Sequence, residues 1–119
     1  DTVLVRLDGI VDTTRKLMTR NVGVVRTGIG LASALSQLSE LDRKMRSLAD
    51  QDTSCRPPSA NRVKHWSEAR NLLLVARLVT LAALQRTESR GAHYRDDYPN
   101  PAPEWKRRQS LTVDQLNAA

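Results

Sequence analysis

RNLLLVARLVTLAALQRTESRGAHYRDDYP, residues 70–99, holds both the most apolar and the most chemically varied part of this chain. Within residues 72–84 only Arg77 and Thr80 are polar. A helix that is apolar on nearly every side has to be covered on most of them. The segment therefore reads as the buried rod of a helical core. Residues 87–99 then bring hydroxyls, charges of both signs, an imidazole, phenols and a closing Pro99. A buried rod running into a dense polar knot places any function at the knot.

Working outward, two more helices are legible upstream. In residues 3–20, Leu7, Ile10, Val11, Thr14, Leu17 and Met18 fall on one stripe of a 3.6-residue period. Asp12 and Lys16 stand at i,i+4 and form a natural surface pair. In residues 28–50 the stripe is Leu31, Ala34, Leu35, Leu38, Leu41 or Asp42, Met45 and Leu48. Between them Asn21 and Gly23 suit a helix end with positive φ, and Val22, Val24 and Val25 are expected to turn onto the core. Thr27 is placed to cap the second helix. Gly28 and Gly30 tempt a phosphate-loop reading, but no strand precedes them and no Lys-Ser/Thr ends the motif, so no nucleotide site is expected there.

Residues 50–60 are the clear loop, with Cys55 beside Arg56 and with Pro57-Pro58 blocking helix, and Ser59 or Asn61 capping the next helix. That third helix is expected over 61–90, with Arg86 and Glu88 in its last turn and Gly91 supplying the left-handed stop. Residues 91–119 form an extended tail in which the prolines from Pro99 to Pro103 exclude helix and central strand. A short helix is readable over 112–118. The sum is an all-α, antiparallel three-helix bundle with an extended C-terminal tail, in a single domain.

Composition narrows the function. The 119 residues are 39% hydrophobic and contain no Phe, so the core is aliphatic. The net charge is +6, spread along the chain, and the few Trp and Tyr residues make no stacking platform; nucleic-acid binding is not expected. One cysteine and two histidines exclude an internal disulfide and supply no metal site. No apolar run is long enough for a membrane helix and no secretory leader pattern is visible, which with the single cysteine suggests the cytoplasm. In the knot, Arg90, Arg95, Asp96 and Asp97 can pair. His93 could serve as a general base, yet it lacks a convincing nucleophile or second base.

Residues 88–99, ESRGAHYRDDYP, resemble a signature of the C-terminal helical domain of the succinate dehydrogenase/fumarate reductase flavoprotein superfamily. Residues 68–78, EARNLLLVARL, resemble the L-aspartate oxidase branch in particular. Residues 18–27, MTRNVGVVRT, resemble the family's turn between its first two helices, and 31–41 its leucine-rich second helix. The resemblance implies a helical domain excised from a larger FAD-dependent enzyme that oxidises L-aspartate to iminoaspartate for quinolinate and NAD synthesis.

No strand-GxGxxG-helix unit is present. The resemblance therefore implies no catalytic, cofactor-binding or metal residue in this fragment, which alone should be inactive; FAD belongs to the parent. The implied partners are the FAD-binding and capping domains of the same chain. Glu88, Arg90, Gly91, His93, Arg95, Asp97 and Tyr98 are the expected interdomain docking residues, facing outward and partly unpaired. An isolated domain could self-associate through that surface. The equivalent domain of a succinate dehydrogenase or fumarate reductase flavoprotein stands as an alternative. A basic nucleic-acid module and a small enzyme using His93 are the rivals from other classes.

Overall fold

The structure, a computed structural model, describes residues 2–50 and 59–119. Among these, helix forms α1 (Thr2–Asn21), α2 (Gly28–Asp50), α3 (Ala60–Gln85) and a short α4 (Val113–Ala118), with a 3-10 turn at Pro103–Trp105. The loop expected around Cys55, Pro57 and Pro58 lies outside the described residues.

The three long helices all pack on one another. Asp8 meets His65 near the starts of α1 and α3, and Met18 meets Thr80 further along both, so these two helices run the same way. Leu31 and Ala34 at the start of α2 cluster with Ala83 at the end of α3, so α2 runs against them. The fold is the expected antiparallel three-helix bundle.

Both upstream stripes are buried as spaced. Leu7, Ile10 and Leu17 join Leu38, Leu41, Met45 and Leu48 in the main cluster. Each fully buried Leu contributes roughly 1.5–3 kcal/mol. On α3 the contact stripe is Ala69, Leu73, Ala76, Thr80 and Ala83, all buried. Their spacing alternates four and three, the seam of closely packed parallel or antiparallel helices. Alanines there let α1 and α2 approach closely. Thr14 and Thr80, both fully buried, donate to the carbonyls of Ile10 (2.8 Å) and Ala76 (2.7 Å), so neither hydroxyl is orphaned. Only two long helices cover α3, and Val75 and Val79, one turn apart, remain exposed on its far side.

Local signals at the helix ends mostly hold. Thr27 Oγ1 accepts from the Gly30 amide at 3.0 Å, and Ser59 Oγ from Arg62 at 3.1 Å. Asp12 and Lys16 pair at 3.0 Å on the surface. The readable helix near the C-terminus is α4, held by a Thr112–Gln115 capping box and seated by the buried Leu116 against α3.

Three expectations are corrected. First, α3 ends at Gln85, not near residue 90; Arg86 is extended (φ −79°, ψ 93°) while its amide still reaches the Ala82 carbonyl. Arg86 and Glu88 thus lie beyond the helix. The cause is downstream: Arg90 and His93 exchange both backbone bonds (2.8 and 3.0 Å), and that hairpin cannot coexist with helix. Gly91 does take the left-handed φ of 59°, but at the hairpin tip, where only the first of two central residues is positive, as in a type II′ turn.

Second, Gly23 has no positive φ. It is glycine for space: a Cβ there would lie 2.5 Å from the Thr19 carbonyl oxygen. Third, only Val22 of the three valines packs inward; Val24 and Val25 are 87% and 58% exposed. The backbone of Arg26 is drawn sideways by bonds to Tyr94 and Asp96, which carries the preceding valines off the core.

Candidate functional site

Arg86, Glu88 and Arg90 alternate along the non-helical segment that follows α3, and both arginine side chains reach Glu88. Glu88 is fully buried between the two arginines. Its oxygens accept Arg90 Nε (3.0 and 3.2 Å), Arg90 Nη2 (3.1 Å), Arg86 Nη1 and the Ala102 amide (2.8 Å). The Arg90 bonds foremost, then the Ala102 amide and Arg86, hold its carboxyl down to about 2 against the desolvation that opposes them. Arg86 also donates to the Trp105 and Arg107 carbonyls at 2.9 and 2.8 Å. The Arg86 and Arg107 guanidinium groups lie 5.1 and 4.8 Å from the centre of the Trp105 ring, whose indole N–H donates to Thr87. The tail is thereby stapled over the end of α3.

Arg95 is the second centre, only 3% exposed. It donates to the Leu84 carbonyl at 2.7 Å, inside the last turn of α3, and stacks on Tyr98 at 4.9 Å. Its other face grips Asp97 through two parallel bonds of 3.1 and 2.7 Å. Asp97 Oδ2 in turn accepts the Gly28 amide at 3.0 Å, the first residue of α2. Bonding to Arg95 lowers the Asp97 carboxyl, with the Gly28 amide assisting. Ser89 Oγ accepts the Arg95 amide at 2.9 Å and donates to the Tyr98 carbonyl at 2.7 Å, closing the loop on itself.

His93 has both nitrogens engaged: Nδ1 with Arg26 Nη1 at 2.8 Å, Nε2 with the Arg86 carbonyl at 3.0 Å. A guanidinium only donates and a carbonyl only accepts, so Nδ1 carries the lone pair and Nε2 the proton. The ring is neutral, and desolvation lowers its pKa, with Arg26, Arg86 and Arg95 adding repulsion. A general base needs a free lone pair, and this one is taken.

The structure thus gathers Glu88, Arg90, His93, Arg95, Asp97 and Tyr98 at one end of the bundle, but not as an outward, partly unpaired surface. Glu88 and Arg95 are buried, and every charge in the set has a partner. Only Arg90, Gly91, Asp97 and Tyr98 present surface. Sequence reading missed Arg26, Arg86, Ser89 and Trp105. The period-two alternation of Arg86, Glu88 and Arg90 was the available signal, since it belongs to extended chain and not to helix.

Among the described residues no group of three His, Cys, Asp or Glu could hold a metal ion, and no helix is long and apolar enough to cross a membrane. The family described as fumarate reductase flavoprotein C-term matches residues 12–118. An uncharacterized FAD-dependent oxidoreductase of Methanocaldococcus jannaschii is 34% identical over 102 residues, covering 82% of this chain and 17% of that protein. One subunit of the fumarate reductase (CoM/CoB) of Methanothermobacter marburgensis is 41% identical over 96 residues, 81% of this chain and 17% of the relative. An L-aspartate oxidase of Synechocystis is 35% identical over 109 residues, 82% and 19%. The chain therefore spans less than a fifth of the length of these relatives. No solved structure matches.

Proposed function

The chain belongs to the fumarate reductase flavoprotein C-terminal family, and from that membership we propose that it is the non-catalytic helical domain of an FAD-dependent L-aspartate oxidase. The parent would oxidise L-aspartate to iminoaspartate, the entry to quinolinate and NAD, in the cytoplasm. The observation that carries a non-catalytic role is His93: the one imidazole of the knot has no free nitrogen. Among the described residues, the glycine-rich helix start at Gly28 already holds the Asp97 carboxylate on its first amide. Flavin chemistry is thus assigned to the remainder of the parent.

The domain's task is to pack against the FAD-binding and capping domains. Arg90, Gly91, Asp97 and Tyr98 offer the contacts, and Glu88, His93 and Arg95 make that end stiff. Arg86, Arg90 and Arg95 are each paired with Glu88 or Asp97 within the domain, which counts against a nucleic-acid surface. The assay is turnover of the full-length parent with L-aspartate against succinate. Aspartate-dependent flavin reduction is expected. Turnover of succinate or fumarate alone would assign the domain to the succinate dehydrogenase/fumarate reductase branch, the second reading, which the 41% identity to the fumarate reductase relative favours. Arg90→Ala should loosen domain association or flavin retention; unchanged values of both would remove Arg90 from the interface.

A further inference from the structure

The two most exposed large apolar side chains of the described residues, Ile29 and Val24, lie at the same short connection. Ile29 and Val24 are 88% and 87% exposed and Val25 58%, all within or beside the connection from α1 to α2. This connection is not loose. Arg26 is bonded through its amide to Tyr94 and through its carbonyl to Asp96, and Gly28 through its amide to Asp97. Three protruding aliphatic side chains on a backbone tied down on both sides form a preformed ridge, and its cost in exposed apolar surface is unexplained by the domain alone.

Within the same connection Arg26 lacks a counter-ion among the described residues. Arg26 is partly buried and its two side-chain bonds go to the Val22 carbonyl (3.3 Å) and to His93 (2.8 Å), both uncharged. No acidic side chain among the described residues pairs with it, unlike Arg86, Arg90 and Arg95 beside it. Desolvation lowers its pKa. It borders a shallow depression of about 250 Å³ lined also by Val79, Ala82, Arg86, His93 and Gln109. A half-buried guanidinium without an acidic partner, at the edge of a depression that holds a second guanidinium, suits a carboxylate brought by another surface.

We propose that the connection bearing Val24, Val25, Arg26 and Ile29, and not the charged hairpin, is the main seat of this domain on the flavin-bearing part of its parent chain. The three aliphatic residues bury against an apolar surface there, and Arg26 receives an aspartate or glutamate of that surface. Two facts identify the occupant. The matched relatives each carry more than four-fifths of their length outside the region that this chain covers. The ridge is also continuous, through the Tyr94 and Asp97 bonds, with the exposed part of the hairpin. The assignment rests on the reading of the chain as a domain of a larger flavoprotein.

The test uses the full-length parent, with photoreactive benzoylphenylalanine replacing Val24 or Ile29 in turn, and Val5, 69% exposed at the opposite end of α1, as the control site. Irradiation should link positions 24 and 29 to the flavin-bearing part, within a segment that contains an Asp or Glu, and position 5 should give no such product. In parallel, Val24→Asp with Ile29→Asp should speed proteolytic release of the domain by about tenfold per residue. No crosslink from 24 or 29, links to a second copy, or release at the unmodified rate would overturn the assignment. A linked segment without a carboxylate would remove Arg26 from it. A purified parent that carries no flavin would instead sink the flavoprotein reading itself.

Discussion

Arg95 and Asp97 form one ion pair that closes two antiparallel helices at once. Arg95 donates to the Leu84 carbonyl in the last turn of α3, and Asp97 accepts the Gly28 amide at the first turn of α2. Cation and anion each sit at the helix end whose dipole favours them. A Cβ on Gly28 would lie 2.7 Å from Asp97 Oδ2 and 2.8 Å from Arg95 Nη2, so a side chain there would push both groups out of this geometry.

That geometry makes the two partners unequal. Arg95→Ala should cost about 2–3 kcal/mol, because it leaves the Leu84 carbonyl without this donor in a buried place and takes the two-bond partner from Asp97. Asp97→Asn keeps an acceptor for Gly28 and, being more exposed, should cost about 1–2 kcal/mol. Urea unfolding of the two variants checks the order; equal losses would contradict it.

Glu88 should set the acid limit. Its carboxyl lies near 2 in the folded chain against an ordinary 4.5, so its stabilisation is complete above about 4.5 and lost as pH falls toward about 2. Glu88→Gln should lower stability at neutral pH and flatten its dependence on pH across that window. Denaturation midpoints measured from pH 7 to pH 2 report both effects.

His93 should titrate below its ordinary 6.5. The unfolded chain then takes up the proton first, and stability declines as pH falls below about 6.5, before the Glu88 window opens. Nitrogen-15 shifts of the ring should show the proton on Nε2 at neutral pH. A proton on Nδ1 would contradict the Arg26 contact.

Two glycine-to-alanine changes should have opposite signs. At Gly9, inside α1, a Cβ meets nothing within 4 Å, so Gly9→Ala should stabilise by about 0.5–1 kcal/mol. At Gly23 the Cβ would press on a backbone oxygen at 2.5 Å, and Gly23→Ala should destabilise. Thermal melts of the pair decide.

The bundle was legible because Leu7 to Leu17 and Leu31 to Leu48 repeat with helical period and bury as spaced. Ser59 and Thr27 marked helix starts through local chemistry. The end of α3 was not legible from propensity. Arg86–Arg90 is a fair helical sequence, and what unwinds it is a set of bonds to residues 93–102 that no local window contains. The exposed valines of the α1–α2 connection were misplaced for the same reason: Arg26 answers to Tyr94 and Asp96. At the knot, residue types were visible but their partners were not, so Glu88 and Arg95 read as surface charges.

The ties from Arg26 to His93 and from Gly28 to Asp97 span 67 and 69 positions of sequence. Contacts that distant form only after the intervening chain has been ordered, since closing so long a loop gains nothing until the helices hold its ends. During synthesis from the N-terminus, α1 and α2 can associate early, but the bonds that fix the connection between them wait for Asp97. The ridge therefore acquires its final shape only when the last quarter of the chain has emerged, which times the domain's readiness to its own completion.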